Sequence, residues 1–296
     1  MYQYRNKLIR GNAPGYYIGE NGFMTEKSLQ VKREDIDSKD SSYSGIAGWA
    51  EIFMRRFRVV FHVLALLVVY AIGAICMGIA LSPGVYLFLY ILESTQAWPL
   101  FLRYSAIGTG ISAGYLLYGF SLILIVPLFN FLFPLRLKPW RGIYYSLGTI
   151  PWYIHNALTY LVRFTFLHFI TPTPFNIFFY RMMGMKIGRG AMINTTNISD
   201  PCLMELGDKV TIGGSATIIC HYAAGGFLII APVKIGKGAT IGMKATVMGD
   251  VEIGEKAKVL ANSLVMPKTR IGPGELWGGV PAQRIQTPEK AQESVA

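Results

Sequence analysis

Residues 235–271 read IGKGATIGMKATVMGDVEIGEKAKVLANSLVMPKTRI, and an aliphatic side chain returns at every sixth position of this stretch. The residues in register are Ile235, Ile241, Val247, Ile253, Val259, Val265 and Ile271. The same spacing joins Ile187 to Ile193 and Ile212 to Ile218. A period of six is neither the 3.6 of an α-helix nor the alternation of a β-strand. It is the repeat of a parallel β-helix, which the sequence predicts over residues 184–285.

The hexapeptide spacing also predicts the shape of this domain. Six residues make one short strand and one corner, so three repeats close a triangular coil with its aliphatic side chains inside. Glycine often follows the aliphatic residue directly, and we expect it to take turn conformations that other residues avoid. The predicted fold class is mainly β, a left-handed parallel β-helix preceded by an α-helical membrane domain. The unbroken register disfavours a β-sandwich, whose strands recur every 8–12 residues.

The composition is that of a membrane protein. The chain is 52% hydrophobic and 15% charged, with a mean hydropathy of +0.38, whereas soluble domains are about 25% charged. The net charge is +11, but the basic residues cluster beside apolar segments, which favours anionic lipid headgroups over a nucleic acid. Three cysteines without a CxxC pair indicate a reducing compartment and no structural zinc.

Composition shifts divide the chain into five segments. The arm at the start contains no apolar stretch of the kind found in a cleavable signal peptide. The predicted segments are a polar arm at 1–44, a membrane domain at 45–141, interfacial or re-entrant helices at 142–183, the β-helix at 184–285 and a polar tail at 286–296.

Two uncharged runs predict transmembrane helices in the membrane domain. Residues 59–81 and 104–135 contain no charged side chain and are long enough to cross a bilayer. Pro83 and Gly84 are expected to break the first run, and residues 86–92 are expected to carry it on to the far interface. The second run contains a GxxxG motif at 110–114, which either lets two helices approach closely or occurs by chance.

Basic residues predict the orientation of these two spans. A short amphipathic helix is expected at 45–57, before the first span, and the loop between the spans has only Arg103. The basic residues on the outer flanks are Arg55, Arg56, Arg58, Arg136, Lys138 and Arg141. The positive-inside rule places both flanks, and hence the β-helix, in the cytoplasm. We therefore predict a multi-pass protein of a bacterial inner membrane, with membrane lipids among its partners.

Residues 142–183 permit two interpretations. The run at 143–170 is apolar and aromatic, and a third span there would put the β-helix outside the cell. However, both of its flanks are basic, Pro151 interrupts it, and Trp152 and Tyr153 belong to the residue types that prefer membrane interfaces. We therefore expect a helix lying in the headgroup region, or a re-entrant pair.

The hexapeptide register slips twice. Ile193 and Ile212 lie nineteen residues apart, one more than a coil, with no obvious reactive group between them. Ile218 and Ile235 lie seventeen apart, one fewer than a coil, and the stretch HYAAGGF at 221–227 lies between them. His221 is the one histidine of residues 184–285, and loops that leave a regular scaffold often carry function.

Several motifs together resemble the hexapeptide-repeat acyltransferases, which include serine, galactoside, maltose and xenobiotic O-acetyltransferases. The motifs are His221 in a loop, the coil PVKIG at 232–236 and the ending GVPAQRI at 279–285. The resemblance covers about a third of the chain. Thr240 stands where the family has a tryptophan, and LANS at 260–263 replaces the family's Gly-Ala-Gly-Ser, so the details of coenzyme binding differ.

This resemblance implies a homotrimer that transfers an acyl group, expected to be acetyl, from acyl-CoA to a hydroxyl or amine acceptor. The coenzyme would lie between neighbouring prisms, and His221 would act as general base. Asp200 or Glu205 would orient the histidine, and backbone N–H groups near Gly213 and Gly214 would stabilise the oxyanion. The alternative is a surface histidine without a role.

The resemblance also suggests coenzyme contacts. Pantetheine would run along the coils near Ala245, Ala261 and Ser263. The candidate phosphate ligands, each of which is otherwise a solvated corner residue, are Lys244, Lys268, Arg270 and Arg284. Cys220, next to His221, fits a small buried apolar residue better than a nucleophile.

Three other functions compete with an acyl-CoA-dependent enzyme. The membrane arrangement resembles the tail modules of poly-amino-acid synthetases, which would use an aminoacyl thioester on a carrier protein's phosphopantetheine and need no free CoA. A γ-type carbonic anhydrase shares the β-helix but needs three histidine ligands for zinc, and residues 184–285 contain one, so this function is rejected and no metal is expected. A non-catalytic trimeric scaffold would tolerate the loss of His221. No nucleic-acid-binding motif is visible.

Overall fold

The computed structural model describes residues 40–41, 43–132 and 137–285. The predicted polar tail, Arg136 and nearly all of the predicted polar arm lie outside the described residues. The helices are α1 (Gly45–Arg56), α2 (Arg58–Ser94), α3 (Leu100–Leu132), α4 (Ile150–Val162) and α5 (Pro174–Met182). Within the described ranges, α2 and α3 are the two helices that are long and apolar enough to cross a membrane.

The predicted break at Pro83 and Gly84 is wrong, because α2 continues through both residues to Ser94. Proline removes one backbone hydrogen bond from a helix. Apolar helices tolerate that loss when a neighbouring helix packs against the site. Here α3 supplies the packing: a Cβ built on Gly84 would lie 2.9 Å from the carbonyl oxygen of Gly114.

The GxxxG motif in α3 does let the two helices approach closely. Gly114 faces Gly84, and a Cβ built on Gly110 would lie 2.6 Å from Cδ1 of Ile91. The two helices are antiparallel, because the contact later in α2, at Ile91, is made to the residue earlier in α3, Gly110. The apolar helices therefore form a hairpin with its turn at residues 95–99.

The β-helix has three parallel faces. The first contains β2 (Lys186–Ile187), β5 (Met204–Leu206), β10 (Val233–Ile235), β13 (Val251–Ile253) and β16 (Arg270–Ile271). The second contains β3 (Met192–Ile193), β6 (Thr211–Ile212), β11 (Thr240–Ile241), β14 (Lys258–Val259), β17 (Leu276–Gly278) and the antiparallel β18 (Gln283–Arg284). The third contains β4 (Ile198–Ser199), β7 (Thr217–Ile219), β12 (Thr246–Val247) and β15 (Leu264–Val265).

Side chains at the six-residue positions stack into the core, as the sequence predicted. Ile235 pairs with Leu206 in the coil before and with Ile253 in the coil after. Ile241 and Val247 are 0% exposed. The hexapeptide repeat thus places one aliphatic side chain per strand inside the prism, and the predicted parallel β-helix is confirmed.

The expected reason for the glycines that follow the aliphatic residues is wrong. None of these residues takes a positive φ; at the corners that conformation belongs instead to residues such as Lys244 and Asn262. What these glycines lack is room for a side chain. A Cβ on Gly242 would lie 2.4 Å from the backbone nitrogen of Ala261 in the next coil. Glycine is therefore required by the close stacking of coils.

The loop that contains His221 is a β-hairpin, which the sequence did not predict. It consists of β8 (His221–Ala224) and β9 (Phe227–Ile230), with Gly225 and Gly226 at φ 57° and 90°. Positive φ at both central residues is typical of a two-residue hairpin turn. A third antiparallel strand, β1 (Trp140–Ile143), pairs with β9. The chain that follows α3 is thereby hydrogen-bonded to the β-hairpin that contains His221.

Two short helices connect the apolar hairpin to the β-helix. The helix α4 packs against α3 and bonds to the third face, where the hydroxyl groups of Tyr160 and Ser199 are 2.9 Å apart. The helix α5 covers the first coil, and the Asn176 side chain donates to the carbonyl of Ile193 at 2.8 Å. Protein contacts therefore hold both helices, and their position at a membrane interface stays a prediction.

Replacing Gly242 by alanine tests the stacking argument. The added methyl group must push two coils apart, so Gly242→Ala should destabilise the protein by about 1–3 kcal/mol. Gly214→Ala is the matched control, because its Cβ would meet no atom closer than 3.6 Å. Thermal unfolding in detergent measures both. Equal melting temperatures for the two variants would contradict the stacking argument.

Candidate active site

The two register slips meet at one corner of the prism. Pairing of β4 with β7 sets Ser199 beside Ile219, so that Asp200 lies against Cys220 and His221. Asp200 takes the left-handed conformation, at φ 60° and ψ 47°. The segment of the first register slip therefore contains the carboxylate, Asp200, that contacts His221 in the segment of the second slip.

Three donors surround the carboxyl group of Asp200, which is 0% exposed. Nδ1 of His221 lies 2.5 Å from Oδ2, and the backbone N–H of Cys220 donates to the same oxygen at 3.2 Å. The side-chain amide of Asn156 donates to Oδ1 at 2.5 Å. An ionised carboxylate only accepts hydrogen bonds. This arrangement therefore fixes the His221 tautomer with its proton on Nδ1.

The remaining nitrogen of His221 is the one that can act as a base. The side chain is 20% exposed and lines a cavity. The Trp152 ring packs edge-on against it, with centroids 5.0 Å apart. A neutral imidazole whose Nε2 is free can accept a proton from a substrate. The geometry of this histidine is thus suited to general-base chemistry.

The structure separates the two carboxylates named from the sequence. Asp200 contacts His221, whereas Glu205 lies on the outer surface of the first face with its side chain 52% exposed. There Glu205 forms an ion pair with Lys186, whose Nζ is 3.4 Å from Oε2. Only Asp200 is in a position to orient the histidine.

Most of the predicted coenzyme ligands lie at a different corner. Gly213, Gly214, Lys244 and Ala261 lie between the second and third faces, whereas His221 lies between the third and first. The backbone N–H of Gly213 donates to the carbonyl of Ile241 at 2.8 Å. That N–H group is therefore part of the coil ladder, and the predicted oxyanion role of this corner stays a prediction.

The side chains predicted to contact the coenzyme differ in exposure. Ala245 and Ser263 are 0% and 2% exposed, because both point into the prism. Lys268 is exposed at the same type of corner as His221. The two arginines form ion pairs on the surface: Arg270 with Asp250 at 2.6 Å, and Arg284 with Glu275 at 3.2 Å. Within one chain, these residues do not converge on a single site.

Cys220 is not a nucleophile at this site. Its side chain is 0% exposed. Burial and the charge of Asp200 raise the pKa of the Cys220 thiol well above its usual range. The same causes raise the pKa of Cys202 to about 12. The thiolate is the reactive form of cysteine, and both effects disfavour it. The interpretation of Cys220 as a small buried residue is confirmed.

The sequence analysis missed Asn156 and the cavity beside it. The cavity has a volume of about 710 Å³ and lies between α2 and α4, with His221 in its wall. Asn156 stands in an otherwise apolar, aromatic run. A lone amide in such a run was the available signal, because polar groups in apolar helices usually have a function.

His155 ties the same helix to α3. Its side chain is 3% exposed, and Nδ1 lies 3.0 Å from the Asn130 side-chain oxygen. Burial lowers the pKa of His155 from 6.5 to about 4, although the charge of Asp200 acts in the opposite direction. The imidazole is therefore neutral at physiological pH.

Comparisons with known proteins agree with this fold. The family described as "Bacterial transferase hexapeptide (six repeats)" matches residues 232–267. The matched residues lie within the β-helix, in coils that carry the six-residue repeat. A protein of Bacillus subtilis with the name "Putative acetyltransferase YvoF" is 28% identical over 152 residues, which make up 48% of this chain and 87% of that protein.

Two further relatives are matched over only part of their own length. Delta-poly-L-ornithine synthetase of Acinetobacter baumannii is 26% identical over 107 residues, 36% of this chain and 8% of that protein. Gamma carbonic anhydrase 2 of Arabidopsis thaliana mitochondria is 40% identical over 89 residues, 30% of this chain and 28% of that protein. This chain thus spans less than a third of either relative.

Among solved structures, a hexapeptide-repeat acetyltransferase of Vibrio cholerae in complex with acetyl-CoA is 27% identical. The similarity covers 35% of this chain and 60% of that chain, with a TM-score of 0.32.

The state of His155 predicts a loss of stability in acid. The unfolded chain binds this proton below about pH 6.5 and the folded chain only below about 4, so the unfolded state holds more protons in between. Lowering the pH through this window should cost the native state up to about 3 kcal/mol. His155→Gln should reduce the fall in melting temperature from about pH 7 to about pH 5. An unchanged fall would contradict the buried neutral state.

Proposed function

We propose that this protein is a membrane-anchored acyltransferase that moves an acyl group, expected to be acetyl, from CoA to a hydroxyl or amine. His221 serves as general base in this reaction, and Asp200 orients it. The observation that carries the proposal is the 2.5 Å contact between Nδ1 of His221 and a fully buried carboxylate, in a hexapeptide-repeat β-helix.

The reaction requires no covalent enzyme intermediate. Nε2 of His221 takes the proton of the acceptor while the acceptor's oxygen or nitrogen attacks the thioester carbonyl carbon. The tetrahedral adduct collapses, the carbon–sulfur bond breaks, and the imidazolium returns its proton to the departing CoA thiolate. Asp200 holds the ring in the productive tautomer and stabilises the imidazolium while it exists.

A homotrimer accounts for the separation of the predicted site residues. Lys244 and Ala261 lie at one corner of the prism, and His221 lies at another. If three prisms pack side by side, the corner with Lys244 and Ala261 of one chain comes to face the corner with His221 of its neighbour. Acyl-CoA would then lie between two chains, as the family resemblance implies.

We also infer that the enzyme is a multi-pass protein of a bacterial inner membrane with the β-helix in the cytoplasm. Arg55, just before α2, donates to the carbonyl of Tyr145 at 3.4 Å, and Arg58 lies over the same tyrosine ring, 5.3 Å from its centroid. The chain before α2 and the chain after α3 therefore lie on one side of the helical hairpin. Their basic character favours the cytoplasmic side.

A second candidate function is the transfer of an aminoacyl group from a carrier protein. The similarity to delta-poly-L-ornithine synthetase, 26% over 107 residues, favours it. The phosphopantetheine arm of a carrier protein presents the same thioester as CoA, so the chemistry at His221 would be unchanged. The two candidates differ in whether free CoA binds.

Calorimetric binding of acetyl-CoA and of free CoA to the detergent-purified protein tests the choice of donor. We expect saturable binding below about 1 mM, both for the wild type and for His221→Ala, because the base does not contact the nucleotide. If neither acetyl-CoA nor free CoA binds at millimolar concentration, CoA is rejected as the donor. Binding of a carrier-protein thioester by the same sample would then favour the second candidate.

Replacing Asp200 by asparagine tests the role of the carboxylate. The asparagine amide would donate to Nδ1 and leave Nε2 protonated, so turnover should fall by about a hundred-fold or more. Glu205→Gln is the matched control and should keep wild-type turnover. The readout is CoA released from acetyl-CoA by membranes that contain each variant. Equal rates for Asp200→Asn and Glu205→Gln would overturn the role assigned to Asp200. A rate of CoA release that His221→Ala leaves unchanged would indicate a non-catalytic scaffold.

A further inference from the structure

The cavity beside His221 is the feature that the reaction above leaves unexplained. Side chains of α2, such as Leu66, Val69 and Met77, form one wall of it. Side chains of α4 and of the turn that follows, such as Leu161 and Phe164, form the opposite wall. One wall is therefore a helix long and apolar enough to cross a membrane, and the cavity leads from it to the predicted base.

The size and lining of this cavity suit a hydrocarbon chain. Its volume of about 710 Å³ lies within the range of ligand sites, about 300–1,000 Å³. None of the residues that line it is an aspartate, glutamate, lysine or arginine. Most of the lining side chains are aliphatic or aromatic, so a hydrocarbon chain would be buried there more favourably than a small, fully polar acceptor.

The end near His221 is different, because it contains polar atoms without partners. The side-chain oxygen of Asn156 and the indole N–H of Trp152 are both buried, and neither has a hydrogen-bond partner among the described residues. Asn156 is 6% exposed, and its amide nitrogen is already bonded to Asp200. Buried polar groups normally have partners, and a ligand is one common source of them.

We propose that the acceptor is a membrane lipid, whose hydrocarbon chain occupies the cavity and whose hydroxyl or amine lies at Nε2 of His221. This inference rests on the proposed acyltransfer function and adds the substrate class. The head group would lie beside Trp152 and Asn156, at the end of the cavity that contains His221. Acyl transfer converts the lipid hydroxyl or amine to an ester or amide and releases CoA.

The position of the cavity assigns it to the acceptor and not to the acyl chain of the donor. A general base must lie within hydrogen-bond distance of the proton that it removes, and that proton belongs to the acceptor. His221 is itself a lining residue of the cavity. A lipid already in the bilayer could enter between α2 and α4, whereas the CoA nucleotide must approach from water.

Two glycines of α2 offer a matched pair of variants. Gly73 lines the cavity and Gly78 does not, and a Cβ on either would meet no atom within 4 Å. Gly73→Phe should therefore fill the cavity, whereas Gly78→Phe adds the same ring to the same helix outside it. Melting temperatures and acetyl-CoA binding of both variants establish that they are folded.

The experiment uses the full-length protein in lipid nanodiscs with a photoactivatable probe, a long-chain alcohol with a diazirine in its chain. We expect the wild type and Gly78→Phe to be labelled in α4 and beside His221. Labelling of those peptides should fall about ten-fold or more in Gly73→Phe, since each methylene excluded from an apolar site weakens binding about four-fold. Unlabelled long-chain alcohol should compete with the probe, and ethanol should not.

Two outcomes would overturn the lipid acceptor. One is equal labelling of α4 in both glycine variants. The other is a loss of dodecanoyl-CoA binding, relative to acetyl-CoA, in Gly73→Phe while alcohol labelling is unchanged, because the cavity would then hold the donor's chain. If neither CoA ligand binds the wild type but the cavity is labelled as expected, the CoA-dependent function fails and the lipid site stands.

Discussion

The buried carboxylate of Asp200 is the interaction on which the site depends. A charge removed from water is tolerated only when it is paired and fully hydrogen-bonded. Its three partners come from different parts of the fold: Asn156 from α4, the backbone of Cys220 from the third face, and His221 from the hairpin. Satisfying this one group therefore fixes the position of α4 against the β-helix and the tautomer of the histidine at the same time.

The stacking of coils makes such a network possible. A regular β-helix repeats the same corner at a fixed rise, so two irregular segments that are distant in sequence become neighbours when they interrupt adjacent coils. Asp200 belongs to the first irregular segment and His221 to the second. The regular coils around them are held at close distance by glycines such as Gly242. The closely stacked regular coils thus hold in place the two irregular segments that contain Asp200 and His221.

The helix α4 connects the site to the apolar hairpin. Its neighbouring residues His155 and Asn156 bond in different directions, to Asn130 of α3 and to Asp200 of the β-helix. The apolar core is continuous from Ile72 in α2 to Ile271 in β16, the last strand of the first face. The apolar hairpin is therefore packed against the β-helix and not merely linked to it, which is why a cavity along α2 reaches His221.

The sequence by itself determined the β-helix, the two apolar helices and His221, because each depends on a local pattern: a six-residue period, an uncharged run, a histidine in a broken register. Asp200 was one of two carboxylates that the sequence left open, and the tertiary structure decided between them. The hairpin strand β1, the role of Asn156 and the cavity were decided by the tertiary structure alone. The physical reason is that these features depend on contacts between residues far apart in the chain, which no local period records.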